Sequence, residues 1–75
     1  MQVHVKLMGV LKAKTPDGGT LDLSDGATVQ EALTLLDIPT ARVQVVSING
    51  TIEHDFDHAL APEDQLTVLA PVGGG

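Results

Sequence analysis

The sequence predicts an α+β domain in which one helix packs on one face of a mixed β-sheet. Apolar and polar residues alternate near both ends of the chain, at 3–7 and 65–70, as they do in half-buried strands. Between these segments, residues 28–37 have the apolar spacing of a helix. A hairpin, a crossing helix and further strands together form a two-layer domain with a sheet of four to five strands.

The first predicted feature is an antiparallel hairpin. Val3, Val5 and Leu7 point to one side of the first strand, because side chains alternate between the two faces of a sheet. Residues 15–19, Thr-Pro-Asp-Gly-Gly, combine the fixed φ of proline with the free φ of glycine and predict a turn. Alternation resumes over 20–24, which we interpret as the second strand of a hairpin with a fairly long loop.

The start and end of the helix are both marked. Thr28 and Glu31 have the spacing of a capping box, in which each side chain bonds to the other residue's backbone N–H. Pro39 disfavours helical geometry in the residue before it, so the helix is expected to stop by about Asp37. A helix of roughly ten residues is marginal alone, so this one must pack on the sheet. Its apolar stripe consists of Val29, Ala32, Leu33 and Leu36.

The second half of the chain predicts further strands. Residues 43–48 form the third strand, and Asn-Gly at 49–50 is a strong signal for a two-residue hairpin turn. Residues 51–52 begin a short return strand, and 53–64 are polar and irregular. The last strand covers 65–70.

The last five residues of the sequence have the composition of a tail and not of a strand or helix. Pro71 ends the last strand, and Val72 is followed by three glycines. We therefore expect a folded domain over 1–71 and a flexible tail over 72–75. A mobile glycine terminus without any function is the alternative, because chain ends are commonly mobile.

Charge and composition narrow the classes of partner. Ten acidic residues against four basic ones give a formal net charge of −6, which disfavours nucleic acid and anionic membrane surfaces. The charge suits a partner with a basic face, or it serves solubility alone. No apolar run approaches the ~18 residues of a membrane span, and residues 1–6 alternate instead of forming a signal-peptide block. We expect a soluble, cytoplasmic protein.

The side chains indicate neither a metal site nor a catalytic site. The chain has no cysteine, which excludes disulfides and thiolate metal sites. His54 and His58, with Asp55 and Asp57 between them, have a helical ligand spacing, but the segment is predicted to be a solvated loop. His4 is expected at the surface. No phosphate-binding loop or nucleophile elbow is present in the sequence.

Several short segments resemble the MoaD/ThiS family of ubiquitin-like sulfur carriers over essentially the whole chain. They are 3–7, Thr28-Val29, 46–50, Leu60 ahead of the turn at Asp64, and 71–75. The most specific of them is Gly74-Gly75 directly after a last strand. Family members usually carry Gly-Asp where this chain has Glu63-Asp64.

The resemblance implies a β-grasp fold, with the first and last strands parallel, and a carrier that is not itself an enzyme. It also implies that Gly75 is adenylated by an E1-like adenylyltransferase that uses ATP, while the carrier binds no cofactor. The Gly75 thiocarboxylate would then donate sulfur to a synthase, either the molybdopterin synthase large subunit or thiazole synthase. Pro71-Val72 and the long first loop favour the molybdopterin type. Gly73 and Gly74 lack a Cβ and can thread a narrow channel.

A β-grasp sheet would also create a docking face. Its helix-facing side would carry Val46, Ile48, Leu66 and Val68, whereas Val45, Ser47, Thr67 and Leu69 would point away. We expect Val45 and Leu69 to form an exposed apolar pair that, with Pro71 and Val72, contacts partners. Two other functions remain open, namely a ubiquitin-like modifier joined to lysines through Gly75 and a β-grasp interaction domain with an inert tail.

Overall fold

Five strands form one mixed sheet in a computed structural model that describes residues 1–70. The strands are β1 (Gln2–Met8), β2 (Thr20–Asp22), β3 (Val45–Ile48), β4 (Thr51–Glu53) and β5 (Gln65–Leu69). Their order across the sheet is β2-β1-β5-β3-β4. β1 is parallel to β5, whereas the β1–β2, β3–β5 and β3–β4 pairs are antiparallel. This is the β-grasp arrangement, and it confirms the predicted fold class.

One α-helix, α1 (Val29–Leu35), packs on the sheet. Its N-terminus is capped as predicted, because the Thr28 hydroxyl accepts from the Glu31 backbone N–H at 3.2 Å. The N–H groups of Val29 and Gln30 donate to carbonyl oxygens of the 56–58 loop at 3.1 and 2.9 Å. The irregular segment after β4 therefore satisfies helix donors that have no partner within the helix.

The C-terminus of α1 comes earlier than expected and has a defined closure. The N–H of Asp37 donates to the Thr34 carbonyl at 3.1 Å, and that of Ile38 to the Leu33 carbonyl at 2.9 Å. These two bonds, with Asp37 at φ 60°, form a Schellman motif. The backbone therefore closes the helix at Asp37, two residues before Pro39. α1 itself ends at Leu35 and spans seven residues instead of about ten.

The core lies between α1 and the sheet and is aliphatic, as the composition predicts. All four residues of the helical stripe are buried. Phe56 is only partly buried and packs against the edge of the core. The largest fully buried side chains are Leu33, Leu66, Val3, Val29, Val46 and Val68.

Three short 3₁₀ segments were not predicted: Gly9–Lys14, Asp17–Gly19 and Thr40–Arg42. The first two fill the loop between β1 and β2, where the buried Leu11 anchors the chain to the core. The third occupies residues directly before the predicted start of β3, and β3 begins at Val45 instead of Val43.

Two turns, one between β3 and β4 and one before β5, contain residues in the left-handed backbone conformation. Asn49 and Gly50 have φ values of 54° and 86°, and they close the predicted two-residue hairpin between β3 and β4. Glu63 has φ 68° in the turn before β5. The turn therefore keeps a conformation that favours glycine, although this chain carries glutamate there.

None of the helices within residues 1–70 has the length and apolarity needed to cross a bilayer. Pro71, Val72 and Gly73 to Gly75 lie outside the described residues, so the predicted boundary between domain and tail stays a prediction.

Candidate functional site

The candidate site lies where β5, the central strand, finishes, and we call this the exit end of the sheet. β1 also ends here and β3 begins here, because Leu69 is paired with Met8 on one side and with Val45 on the other. The Gln44 N–H donates to the Leu69 carbonyl at 2.8 Å and extends the β3–β5 pairing beyond β3. Ala70, directly after β5, is 1% exposed and therefore belongs to the buried core.

A row of apolar residues crosses the sheet at the exit end, on the face that points away from α1. We call it the outer row, and it consists of Met8, Leu69 and Val45 on three adjacent strands. Each of these residues is next to a buried one on its own strand, so each side chain points away from α1. Met8 is 41% exposed, and Val45 and Leu69 are partly buried.

The structure thus places the two predicted docking residues opposite each other but corrects their exposure. Val45 and Leu69 are partly buried, whereas an exposed pair was expected. Cross-strand neighbours in a sheet cover part of each other's surface, and each of these side chains has such a neighbour. Their role in docking stays a prediction.

Two apolar residues of this face had no predicted role. Met8 continues the outer row, and Ile52 on β4 is 57% exposed beside Ser47. Alternation with His4 and Lys6 already puts Met8 on the outer side of β1. Its position beside Leu69 follows only from the register of β1 against β5, which local pattern does not contain.

Two of the three histidines lie beside carboxylates. His4 Nε2 lies 2.9 Å from Glu63 Oε2, and His58 Nδ1 lies 3.0 Å from Glu53 Oε1. Within residues 1–70 no three His, Asp or Glu side chains come together in a way that could hold a metal ion. His54 is exposed in the loop after β4, as the solvated-loop interpretation predicted.

The model of the ThiS family matches residues 5–75 of the sequence, which is nearly the whole chain. The chain belongs to the ThiS family. A search of curated proteins finds no match.

Solved structures agree with this assignment. SAMP1 from Haloferax volcanii is 26% identical, with a TM-score of 0.70 over 100% of both chains. A second structure, of small archaeal modifier protein 1 from H. volcanii, gives a TM-score of 0.71 at 26% identity over 95% of this chain and 98% of that one. A complex of subunits 1 and 2 of molybdopterin-converting factor from Helicobacter pylori 26695 contains a chain with the same fold. That chain is 20% identical, with a TM-score of 0.62 over 100% of both chains.

Membership in the ThiS family identifies the chain as a small ubiquitin-like carrier protein and not a catalyst. The family match includes the residues on which the predicted chemistry depends, Gly73, Gly74 and Gly75. The structure describes only the sheet end from which they follow, so their roles stay predictions, as do those of Pro71 and Val72.

Proposed function

We propose that the protein carries sulfur as a thiocarboxylate on Gly75. An E1-like adenylyltransferase would activate Gly75 with ATP, and a synthase would accept the sulfur during cofactor biosynthesis in the cytoplasm. The observation that supports this most is the ThiS-family match, which extends through Gly74-Gly75. The position of β5 adds to it, because the strand preceding these residues is central and ends between β1 and β3.

The proposed chemistry needs little from the carrier except an accessible carboxylate. A carboxylate is a poor electrophile, so one of its oxygens first attacks the α-phosphorus of ATP, and pyrophosphate leaves. A sulfide equivalent supplied by a partner then attacks the carbonyl carbon of the acyl-adenylate, and AMP leaves. Because Gly75 has no Cβ, neither approach is hindered by a side chain. Gly73 and Gly74 would give the same freedom within the partner's channel.

We propose that partners dock on the outer row together with Pro71 and Val72. The row is apolar, faces away from α1 and lies beside the end of β5. One step further from the exit end, Lys6, Thr67 and Ser47 make the same face polar. Apart from Ile52, which lies beside Ser47 on β4, the apolar side chains of this face lie at the exit end. Such a patch suits a partner that must also reach Gly75.

For the sulfur acceptor we favour the large subunit of a molybdopterin synthase over thiazole synthase. Pro71-Val72 and the long connection between β1 and β2 support this choice. Complementation of a molybdopterin auxotroph and of a thiamine auxotroph separates the two. Rescue of the thiamine auxotroph alone would refute the preference and leave the carrier function intact.

The carrier function is tested with two tail variants, Gly75→Ala and a chain extended by one residue beyond Gly75. We expect both to lose pyrophosphate exchange and thiocarboxylate formation, measured by intact mass as replacement of one oxygen by sulfur. Their melting temperatures should equal that of the unaltered protein, because the changes lie outside the core of residues 1–70. Normal thiolation of either variant would contradict the proposal.

A ubiquitin-like modifier is the second candidate. It is favoured by the 26% identity, over 100% of both chains, to SAMP1 from Haloferax volcanii. A modifier would be found joined through Gly75 to lysines of other proteins, and a thiocarboxylate carrier would not need such adducts. Mass spectrometry of protein from the native cell distinguishes them. An unmodified mass under all conditions would instead indicate an interaction domain with an inert tail.

A further inference from the structure

A groove lies between the 3₁₀ segment that follows β1 and the turn that follows α1. We call it the exit groove. Its open volume is about 350 Å³. Its lining residues are Val10, Leu11, Lys14, Asp37, Pro39 and Arg42. None of these residues was given a functional role by the sequence or by the proposed function.

The exit groove is locally basic in an acidic protein. Three of the four Lys and Arg residues, Lys12, Lys14 and Arg42, lie on the two 3₁₀ segments that border it. Among residues 1–70, neither Lys12 nor Arg42 has a carboxylate within salt-bridge distance. Asp37 is the carboxylate among the lining residues, whereas most of the other carboxylates lie near the beginning of β1 and of α1. They include Asp22, Asp25, Glu31, Asp55, Asp57, Glu63 and Asp64.

The cations of the groove are available to a ligand. Lys14 Nζ lies 3.5 Å from Asp37 Oδ2, and the Asp37 side chain is 96% exposed. An exposed pair of this kind contributes little stability, so a competing carboxylate can replace Asp37 at little cost. Arg42 is exposed and can bind a carboxylate through two parallel N–H bonds.

The groove also offers apolar surface. Val10 is 66% exposed, and Pro39 is exposed on the opposite wall. Leu11 is only 4% exposed and forms the floor. A site with apolar walls and two peripheral cations suits a peptide that carries an aliphatic side chain next to carboxylates. Nucleotide phosphates would gain nothing from Val10 or Pro39.

The position of the groove connects it with the proposed chemistry. The segment that contains Val10 and Lys14 leaves β1 directly beside the end of β5, and a β-carbon on Gly9 would lie 3.7 Å from the Ala70 carbonyl oxygen. Five residues separate Ala70 from the end of Gly75, and they reach at most about 18 Å. An enzyme that acts on Gly75 must therefore approach the exit end closely.

We infer that the exit groove binds an acidic peptide segment of the adenylating partner, with carboxylates on Lys14 and Arg42 and an aliphatic side chain against Val10 and Pro39. The inference rests on the proposed function, because it assumes that such a partner acts on Gly75. Attraction between opposite charges would mainly orient the two proteins and accelerate their encounter. The outer row would supply the apolar contact on the neighbouring face.

The test compares two double variants of the full chain with equal net charge. Lys14→Gln with Arg42→Gln removes the groove cations, whereas Ser24→Glu with His54→Glu adds two carboxylates far from the groove. Both lower the formal net charge by the same two units. Binding to the E1-like adenylyltransferase of the same organism is measured by calorimetry, and the KM values for carrier and for ATP by pyrophosphate exchange.

We expect the groove variant to bind about tenfold more weakly at low salt, with a higher KM for the carrier, an unchanged KM for ATP and a flatter salt dependence. The distal variant should change binding by less than about twofold. Val10→Asp should also weaken binding, because it places a carboxylate against the proposed acidic peptide.

Three other outcomes would overturn the inference, and each has a different meaning. Equal effects of the two double variants would mean that net charge, and not the groove, matters. A raised KM for ATP would indicate that the groove cations serve nucleotide phosphates. If the unaltered chain is not adenylated at all, the proposed function itself fails and this inference falls with it.

Discussion

Asn49 and Asp64 join two turns that are fifteen residues apart in the sequence. The Asn49 side-chain amide donates to Asp64 Oδ1 at 2.9 Å, and its carbonyl oxygen accepts from the Gln65 N–H at 2.8 Å. The second carboxylate oxygen of Asp64 accepts from the Ala61 N–H at 2.8 Å. The hairpin after β3 is therefore fastened to the turn that begins β5. These contacts fix how the central strand enters the sheet.

The first prediction separates the hydrogen bonds of Asn49 from its backbone conformation. Asn49→Gly keeps the positive φ but loses both side-chain bonds, and it should lower the free energy of unfolding by about 1–2 kcal/mol. Asn49→Ala loses the same bonds but keeps a Cβ in the left-handed region, without the local hydrogen bonding by which asparagine tolerates it, and it should cost about 1 kcal/mol more than the glycine variant. Urea denaturation measures the free energy of unfolding of both variants. Equal stability of the two variants would mean that backbone strain plays no part.

The same pair can be tested by a double-mutant cycle. Asn49→Gly and Asp64→Ala should be non-additive, with a coupling energy of about 0.5–3 kcal/mol, because each removes the other's partner. Gln2→Ala paired with Asn49→Gly serves as the control, since no side-chain bond of Gln2 connects it with Asn49. Additive losses in the first cycle would show that the 2.9 Å contact contributes nothing in solution.

The second prediction concerns Glu63, which has φ 68° in the turn before β5. A residue with a Cβ loses about 1–2 kcal/mol in the left-handed region, and glycine costs about 0.5–1 kcal/mol through the unfolded chain. Glu63→Gly should therefore stabilise the fold by about 0.5–1 kcal/mol. The ion pair that it gives up with His4 is exposed and weak.

The matched control for this change is Glu63→Ala, which removes the same carboxylate and keeps the Cβ. It should be no more stable than the unaltered protein. Thermal unfolding ranks the unaltered protein and the two variants by melting temperature. If the alanine variant is as stable as the glycine variant, the gain comes from removing the side chain, and the argument from backbone strain is wrong.

Local pattern was sufficient for most of the secondary structure but not for the pairing of the strands. The alternation in β1 and the stripe of α1 predict which side chains are buried, because burial follows the periods of strand and helix. The parallel contact between Val5 and Leu66 joins strands about sixty residues apart, and no local signal contains it. The parallel pairing of the first and last strands was therefore predicted from the resemblance to a known family.

The errors have identifiable physical causes. The first 3₁₀ segment reads as a loop in the sequence, because a single buried residue, Leu11, anchors its six residues. Pro39 predicts a helix of roughly ten residues, but the backbone closes at Asp37 and α1 ends at Leu35. The basic character of the exit groove could not be predicted, since Lys14 and Arg42 become neighbours only through the fold.

The third prediction compares two leucines of the same helix. Leu33 is fully buried, whereas Leu35 is 63% exposed. Leu33→Ala should destabilise the protein by about 2–5 kcal/mol, because it removes buried methyl groups and leaves a cavity. Leu35→Ala should change the free energy of unfolding by less than about 0.5 kcal/mol. Similar losses for both would contradict the packing of α1 on the sheet.

The fourth prediction concerns the outer row and partner binding. Leu69→Asp places a charge in the middle of the row, and Gln65→Asp places one on the same face of the same strand, at its other end. We expect Leu69→Asp to weaken binding to the adenylyltransferase by at least about tenfold, because a buried unpaired carboxylate costs more than 1 kcal/mol. Gln65→Asp should leave binding nearly unchanged.

Stability measurements decide how a loss of binding by Leu69→Asp is interpreted. Leu69 is partly buried, so its substitution should lower the melting temperature by only a few degrees, and the far-ultraviolet circular dichroism should not change. Met8→Asp tests the same row from β1, where the side chain is 41% exposed, and it should weaken binding at a smaller cost in stability. Unfolding of Leu69→Asp would place Leu69 in the core. Normal binding of both variants would show that partners do not use the outer row.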